Sequence, residues 1–178
     1  MRARDPMAEE AAGPAWGGRP LDPEARLQHA RDIAWRALGR RDRTTEELRR
    51  TLADKRVEPE LIEVVLREVT EQGYVDDERY ARLFAEDRRR LDAWGSERIE
   101  RRLTALGVAA EHIQAALGVR TPEDELEAAM EQLRRRAPEP ARTPQERDRQ
   151  LRLLLRRGYA AELAYAAVRR HAGASLED

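Results

Sequence analysis

The chain has 178 residues, no Cys, and 34 basic against 35 acidic side chains, for a formal net charge of −1. Without Cys there are no disulfides, thiolate metal sites or thiol nucleophile. Charged residues make up 39% of the chain while Leu, Ile, Val and Phe number only 33, too few for the core of one compact domain of this length, so an elongated array of small units is expected.

Residues 1–21 carry Pro6, Gly13, Pro14, Gly17, Gly18 and Pro20 without periodicity, and are read as a flexible tail holding one aromatic, Trp16. No apolar run approaches the roughly 18–20 residues that span a bilayer. Arg2 and Arg4 are not followed by the apolar stretch of a secretory signal. A soluble cytoplasmic protein is expected. The pattern then turns helical. Asp22-Pro23 opens a first helix with Ala30, Ile33, Ala34 and Ala37 on one face, ending at Gly39. A second starts near Thr44-Thr45 and carries Leu48 and Leu52; a third runs from Pro59 through Ile62, Val65, Leu66 and Val69 to Gly73. Asp76 caps a fourth, with Tyr80 and Phe84, that reaches about Leu91. Ser96 is expected to cap a fifth with Ile99 and Leu103, and a short sixth follows Gly107. Thr121-Pro122 opens a seventh, Pro138 and Pro140 form a linker, Thr143-Pro144 opens an eighth, and a ninth follows Gly158. No strand-type alternation occurs.

Shifting the sequence by 51 residues superimposes Leu52, Leu103 and Leu154, and likewise Leu66, Leu117 and Val168. Gly107 and Gly158 align with each other, and Arg56 holds that place in the first copy. Leu48 and Ile99 match, but the third copy has Gln150. The fold class is therefore all-α, an elongated array of three tandem three-helix repeats. The divisions read as 22–72, 73–120 and 121–172, with a C-terminal tail over 173–178.

The near-zero net charge hides local imbalance. Residues 36–56 carry +4, residues 88–102 carry +3 and residues 147–157 carry +4, whereas residues 58–72 carry −4. Basic second-helix regions in stacked units would form a stripe suited to a polyanion or an acidic protein surface. Glu46–Arg50, Glu97–Arg101 and Asp148–Arg152 are acid-first i,i+4 pairs that read as helix-stabilising. Arg40, Arg41, Arg88, Arg89, Arg90, Arg156 and Arg157 are read as unpaired and hence as binding candidates, together with Arg98 and Arg101 on the fifth helix. Trp94 is a candidate surface anchor, and Phe84 and Tyr80 are expected in the core.

An enzyme is not expected. His29, His112 and His171 fall on different helices, Asp76-Asp77-Glu78 reads as an N-cap with acids in a first turn, and no phosphate-binding loop, nucleophile elbow or zinc motif is present. No metal or cofactor is expected either.

The run Gly73-Tyr74-Val75-Asp76-Asp77-Glu78-Arg79-Tyr80-Ala81-Arg82 closely resembles the signature of the RecX regulatory family. Thr44-Thr45-Glu46-Glu47-Leu48, Gly95-Ser96-Glu97-Arg98-Ile99 and Leu155-Arg156-Arg157-Gly158-Tyr159 resemble its first-, second- and third-unit segments. The resemblance spans residues 25–172. It implies a monomeric cytoplasmic modulator, most commonly an inhibitor, of the RecA recombinase. Such a protein lies in the groove of the RecA–single-stranded DNA filament and suppresses ATP hydrolysis, strand exchange and co-protease activity. The main alternative is a protein that binds single- or double-stranded DNA directly through helix-turn-helix-like units; a third is a helical adaptor for another acidic protein.

Overall fold

The computed structural model describes residues 22–174; the expected N-terminal tail with Trp16, and residues 175–178, lie outside the described residues. Among the described residues there are nine helices and no strand: α1 Pro23–Leu38, α2 Thr45–Asp54, α3 Pro59–Glu71, α4 Asp77–Asp92, α5 Ser96–Ala105, α6 Ala110–Leu117, α7 Pro122–Arg136, α8 Pro144–Arg157 and α9 Ala161–Ala174. The last helix continues through residues 173 and 174, where the sequence pattern places a tail.

Most starts follow from local chemistry. The Asp22 side chain accepts the Glu24 N–H ahead of Pro23. Thr44 with Glu47, Thr121 with Asp124, and Thr143 with Glu146 form reciprocal capping boxes that satisfy orphan donors of α2, α7 and α8. One start differs from expectation. The N-cap of α5 is Gly95, with no side-chain cap bond, and Ser96 is already the first helical residue.

The nine helices bury three separate apolar clusters. The first joins Ala30, Ile33 and Ala34 of α1 to Leu48 and Leu52 of α2 and Ile62, Val65, Leu66 and Val69 of α3. The second joins Ala81 and Ala85 of α4 to Ile99 and Leu103 of α5 and Ile113 and Ala116 of α6, with Tyr80, Phe84 and Trp94 packed against it. The third joins Ala129 and Leu133 of α7 to Leu154 of α8 and Ala164, Ala167 and Val168 of α9. Small Ala residues on the first helix of each triplet let the other two approach closely, so few large apolar residues suffice. Val75 also belongs to the first cluster, and Tyr74 packs edge-on against Trp35 with ring centroids 4.6 Å apart. Both residues lie beyond the 72/73 division yet pack with α1–α3.

The third triplet departs from the repeat in an intelligible way. Tyr159, fully buried, fills the place that Val57 and Val108 hold in the other copies, and burial raises its phenol pKa. Gln150 is buried where Leu48 and Ile99 stand, and its amide donates to the Glu139 carbonyl at 2.9 Å. The Nε2 atom of buried His171 lies 2.9 Å from the Ala137 carbonyl oxygen. These two polar side chains hold the proline-bearing linker against α8 and α9.

Candidate functional site

The three triplets meet chiefly through the ends of their second helices. At the first joint the Thr44 hydroxyl, fully buried, donates to the Leu106 carbonyl at 2.7 Å, and the Thr45 N–H donates to the Asp77 carboxylate at 2.8 Å. At the second, the Gly95 and Glu97 N–H groups donate to the Arg157 and Gly158 carbonyls at 2.9 and 3.1 Å. Ser96 gives both its N–H and its hydroxyl to the Glu125 carboxylate, each at 2.7 Å. The absence of a side-chain cap on α5 is thereby explained: the last carbonyls of α8 satisfy its first donors, and opposite helix-dipole ends meet. Thr45 and Ser96 are 51 residues apart, and each gives its N–H to a carboxylate on the following triplet's first helix.

Glycine makes these joints possible. Gly107 and Gly158 have φ of 80° and 84°, a region costly for other residues. A Cβ on Gly107 would fall 2.3 Å from the Glu46 Cβ; one on Gly158 would fall 2.2 Å from the Arg98 Cβ and 2.6 Å from its backbone nitrogen. Arg56 adopts the same conformation, with φ of 60°, at the aligned position just beyond α2, where it is exposed and no other triplet abuts among the described residues.

The joints also account for much of the Gly73–Arg82 run. Gly73, with φ of 74°, turns the chain, Val75 enters the first core, the Asp76 carboxylate accepts the Arg79 N–H at 2.8 Å, and Asp77 binds across to α2. Asp77 therefore does more than the first-turn role expected of it.

End-to-end second helices carry the arginines, but their charge is not equally available. On α2, Arg49 pairs with Glu46 and Glu63, and Arg50 with Glu46. Part of the acidic charge of α3 is likewise engaged: Glu68 holds Arg31 in a two-pronged pair at 2.7 and 2.9 Å, which lowers the Glu68 pKa, and Glu58 at the N-cap pairs with Arg26. On α5 the situation is reversed. The Arg98 guanidinium carbon lies over the Trp94 ring, 4.1 Å from its centroid, and the side chain donates to the Arg156 carbonyl, while Arg101 and Arg102 have no ion pair among the described residues. The expected Glu97–Arg101 pair does not form; Arg101 instead lines a cleft with Phe84, Arg88, Trp94, Arg98 and Arg102. On α8, Arg152 pairs with Asp148 as expected, and Arg149 and Arg156 line a second cleft beside it.

Other candidates are corrected by their contacts. Arg41, read as unpaired, forms a two-pronged bond to Glu47. Burial alone would raise the Glu47 pKa, but that bond and the Thr44 N–H bring it below the ordinary value. Arg88 pairs with Asp92 one turn on and lies over the Phe84 and Trp94 rings, and Arg90 pairs with Asp87 at 3.2 Å. Arg89, half-buried, donates to the Ala116 and Leu117 carbonyls and so caps α6; desolvation, reinforced by Arg120, lowers its pKa. Arg157 donates to the Asp92 carbonyl across the second joint, and together with Arg90 it lines a cleft shared with Arg135 and Arg136. Arg40 is exposed beyond α1 and is not brought to any of these groups.

Arg102 and Arg149 are the additions. Both were signalled: Arg102 lies one turn from Arg98, and Arg149 aligns with Arg98 in the 51-residue repeat. The cleft aromatics behave as a mixture. Phe84 and Tyr80 pack against the second core as expected, and Trp94 does so too while stacking with Arg98 on its outer side. Among the described residues no group of three His, Asp or Glu side chains could hold a metal ion, and no helix is long and apolar enough to cross a membrane.

Together these features define an all-α protein of three tandem three-helix domains, joined end to end, whose second helices carry ion-paired arginines in the first domain and arginines outside any ion pair in the second and third. Family models match that plan in chain order: RecX, first three-helix domain, over residues 30–68, the second over 76–117 and the third over 123–168. The chain is 36% identical over 171 residues to a regulatory protein RecX of Deinococcus radiodurans, covering 94% of this chain and 80% of that one. It is 34% identical over 167 residues to a regulatory protein RecX of Thermobifida fusca, covering 93% and 89%. The crystal structure of RecX from Lactobacillus salivarius superimposes with a TM-score of 0.74 at 16% identity, over 83% of this chain and 97% of the other, which shows the shared fold. The chain belongs to the RecX family of regulatory proteins.

Proposed function

We propose that this protein inhibits the RecA recombinase by lying in the groove of the RecA–single-stranded DNA filament, where it suppresses ATP hydrolysis and strand exchange. The observation that carries the reading is the row of second helices, with Arg98, Arg101 and Arg102 on α5 and Arg149 and Arg156 on α8 outside any internal ion pair. Family membership names the regulatory role; the row supplies a polycationic track. A monomer in the cytoplasm, its units divided at 22–72, 73–120 and 121–172, would follow the filament over more than one protomer. Several weak contacts on one semi-rigid array act together, so occupancy exceeds that of any single contact. Bridged protomers resist the movements that ATP turnover requires.

The test is RecA's single-stranded-DNA-dependent ATPase with substoichiometric amounts of the protein. Hydrolysis falls on the proposal; unchanged hydrolysis and unchanged filament length overturn it. Arg101→Glu with Arg102→Glu weakens the inhibition while helicity by circular dichroism is retained. Direct DNA binding is favoured as a second reading by one feature, the Arg98–Trp94 stack beside unpaired arginines. It requires affinity for DNA without RecA that falls steeply with salt, as released counterions demand.

A further inference from the structure

The arginine cleft on α5 is assembled across the second joint, and the contacts that assemble it converge on the first turn of that helix. Arg98 is its third residue. The Arg98 side chain donates to the Arg156 carbonyl at 3.2 Å, and Gly158 lies so close that a Cβ there would meet both the Arg98 Cβ and its backbone nitrogen. From Trp94, whose ring the Arg98 guanidinium covers, the chain passes to Gly95, which donates its N–H to the Arg157 carbonyl. The arginines of α5 and those of α8 are therefore neighbours only through this joint.

One side chain outside both helices closes it. Glu125, near the start of α7, accepts the Ser96 N–H and the Ser96 hydroxyl, each at 2.7 Å. Its carboxylate serves α5 as a capping side chain would, since Gly95 supplies none. A ten-residue helix is marginal by itself, and one whose first donors lose their acceptors frays from that end. The other end of α5 is self-sufficient: the Gly107 N–H donates to the Thr104 carbonyl and the Val108 N–H to the Leu103 carbonyl. Opening the first joint leaves the α5 arginines where they are. Opening the second takes Arg98 from Trp94 and parts the row into two halves.

We propose that Glu125 is a positioning residue for the arginine row: without touching the partner, it holds α5 and α8 as one cationic track by binding Ser96. On the RecA reading, on which this inference rests, the whole track meets the filament only while the third triplet is docked. Affinity then falls in proportion to the docked fraction, and contacts that act together lose their common geometry when the halves separate.

Charge reversal at Glu125 separates positioning from simple attraction by sign. Glu125→Lys adds positive charge at the joint, so a track that worked through net charge alone would bind an anionic filament more tightly. Binding of the full chain to a RecA–single-stranded DNA filament is measured by anisotropy. Glu125→Lys is expected to weaken it about fivefold and Ser96→Ala about twofold, as docked fractions of about one fifth and one half require. Thr44→Val, which deletes a fully buried hydroxyl at the first joint, is expected to leave it unchanged. Binding of Glu125→Lys as tight as that of the parent, or tighter, overturns the inference and leaves the arginine row standing. So does an equal loss in Thr44→Val, which makes the effect one of general stability. Failure of the unsubstituted chain to bind the filament overturns both. Hydrogen exchange of the free Glu125→Lys chain is expected to quicken at the Gly95 and Glu97 amides and not in α2; unchanged exchange at those two amides means that Glu125 does not hold the joint, and also overturns the inference. If Glu125→Lys loses helicity by circular dichroism, Ser96→Ala against Thr44→Val carries the same comparison.

Discussion

The two joints use the same pair of helix ends 51 residues apart, yet they are built differently. At the first, α2 caps itself through Thr44 and Glu47, and then reaches the end of α5 with the Thr44 hydroxyl and α4 with the Thr45 N–H. At the second, α5 has no cap of its own, and the backbone of α8 supplies the missing acceptors while Glu125 takes both donors of Ser96. In the first joint every bond has a side chain at one end, the Thr44 hydroxyl or the Asp77 carboxylate, and α2 carries its own capping box. In the second, α5 is complete only while α8 is docked, so the position of the third triplet and the integrity of α5 are one property. Because α5 also carries Arg98, Arg101 and Arg102, the joint that completes α5 lies beside three arginines outside any ion pair among the described residues.

The sharpest way to break this contrast is the glycine series. Gly158→Ala places a Cβ against the Arg98 backbone nitrogen, which cannot move away without leaving the joint, and also forces an Ala into the left-handed region. A loss of at least ~3 kcal/mol is expected, combining the conformational cost with overpacking. Gly107→Ala meets the Glu46 side chain, and its cost is expected near ~2–3 kcal/mol on the same two grounds. Gly73 has the same sign of φ but nothing within 4 Å of its added Cβ, so Gly73→Ala keeps only the conformational cost of ~1 kcal/mol. Urea unfolding ranks the three, and hydrogen exchange at the Gly95 and Glu97 amides shows whether Gly158→Ala opens the second joint. Equal losses at all three positions would mean that close approach at the joints has no energetic weight.

Hydroxyl deletions compare the joints more gently. Thr44→Val removes a buried hydroxyl that accepts the Glu47 N–H and donates to the Leu106 carbonyl, so it unsatisfies both groups, and ~2 kcal/mol is the expected loss in thermal or urea unfolding. Ser96→Ala removes one of two bonds to Glu125 and leaves the N–H in place, so ~1 kcal/mol is expected. A larger effect at Ser96 than at Thr44 would reverse the assignment of the first joint to side chains.

Acid should reach the first joint through Glu47. Its folded pKa lies below its ordinary value, so its stabilisation is complete above the unfolded carboxylate pKa of ~4.3 and is lost as pH falls through the folded value. Glu47→Gln is expected to be less stable than the parent at neutral pH by ~1 kcal/mol or less, in line with one partly exposed pair. That difference shrinks below pH ~4 as protonation of the parent's Glu47 removes it. Parallel stability curves for parent and variant down to pH 3 would remove Glu47 from the acid response.

Much of this was legible in the sequence because helix starts are local. Asp22-Pro23, Thr44 with Glu47, Thr121 with Asp124, and Thr143-Pro144 with Glu146 are chemistry within four residues, and each cap forms where the sequence places it. The joints were half legible. The offset of 51 aligned Gly107 with Gly158, but the reason lies in the Glu46 and Arg98 side chains of another triplet, and no local pattern shows that. The α5 start was misread for the same cause: its cap is a backbone 62 residues away, reached through Gly95 N–H to Arg157 O. Arginine availability was the least legible. Arg41 bonds six residues forward to Glu47 and Arg49 reaches α3, whereas Arg101 ignores the acid one turn behind it. Sequence spacing predicts only intrahelical partners, and the decisive partners here come from loops and neighbouring helices.

The smallest expected effect tests why the first copy of the repeat escapes glycine. Arg56 occupies the Gly107 and Gly158 position at φ of 60°, at the end of α2 that faces no other triplet. Its side chain therefore bears only the conformational cost and not the steric one. Arg56→Gly removes that cost, ~1 kcal/mol for a non-glycine residue in the left-handed region, but adds freedom to the unfolded chain that returns part of it. A net gain of ~0.5 kcal/mol is expected, read as a small upward shift of the urea midpoint without change of slope. A loss instead would show that the Arg56 side chain holds something at that end, and would make the free end of α2 a third joint in waiting rather than the place where the array stops.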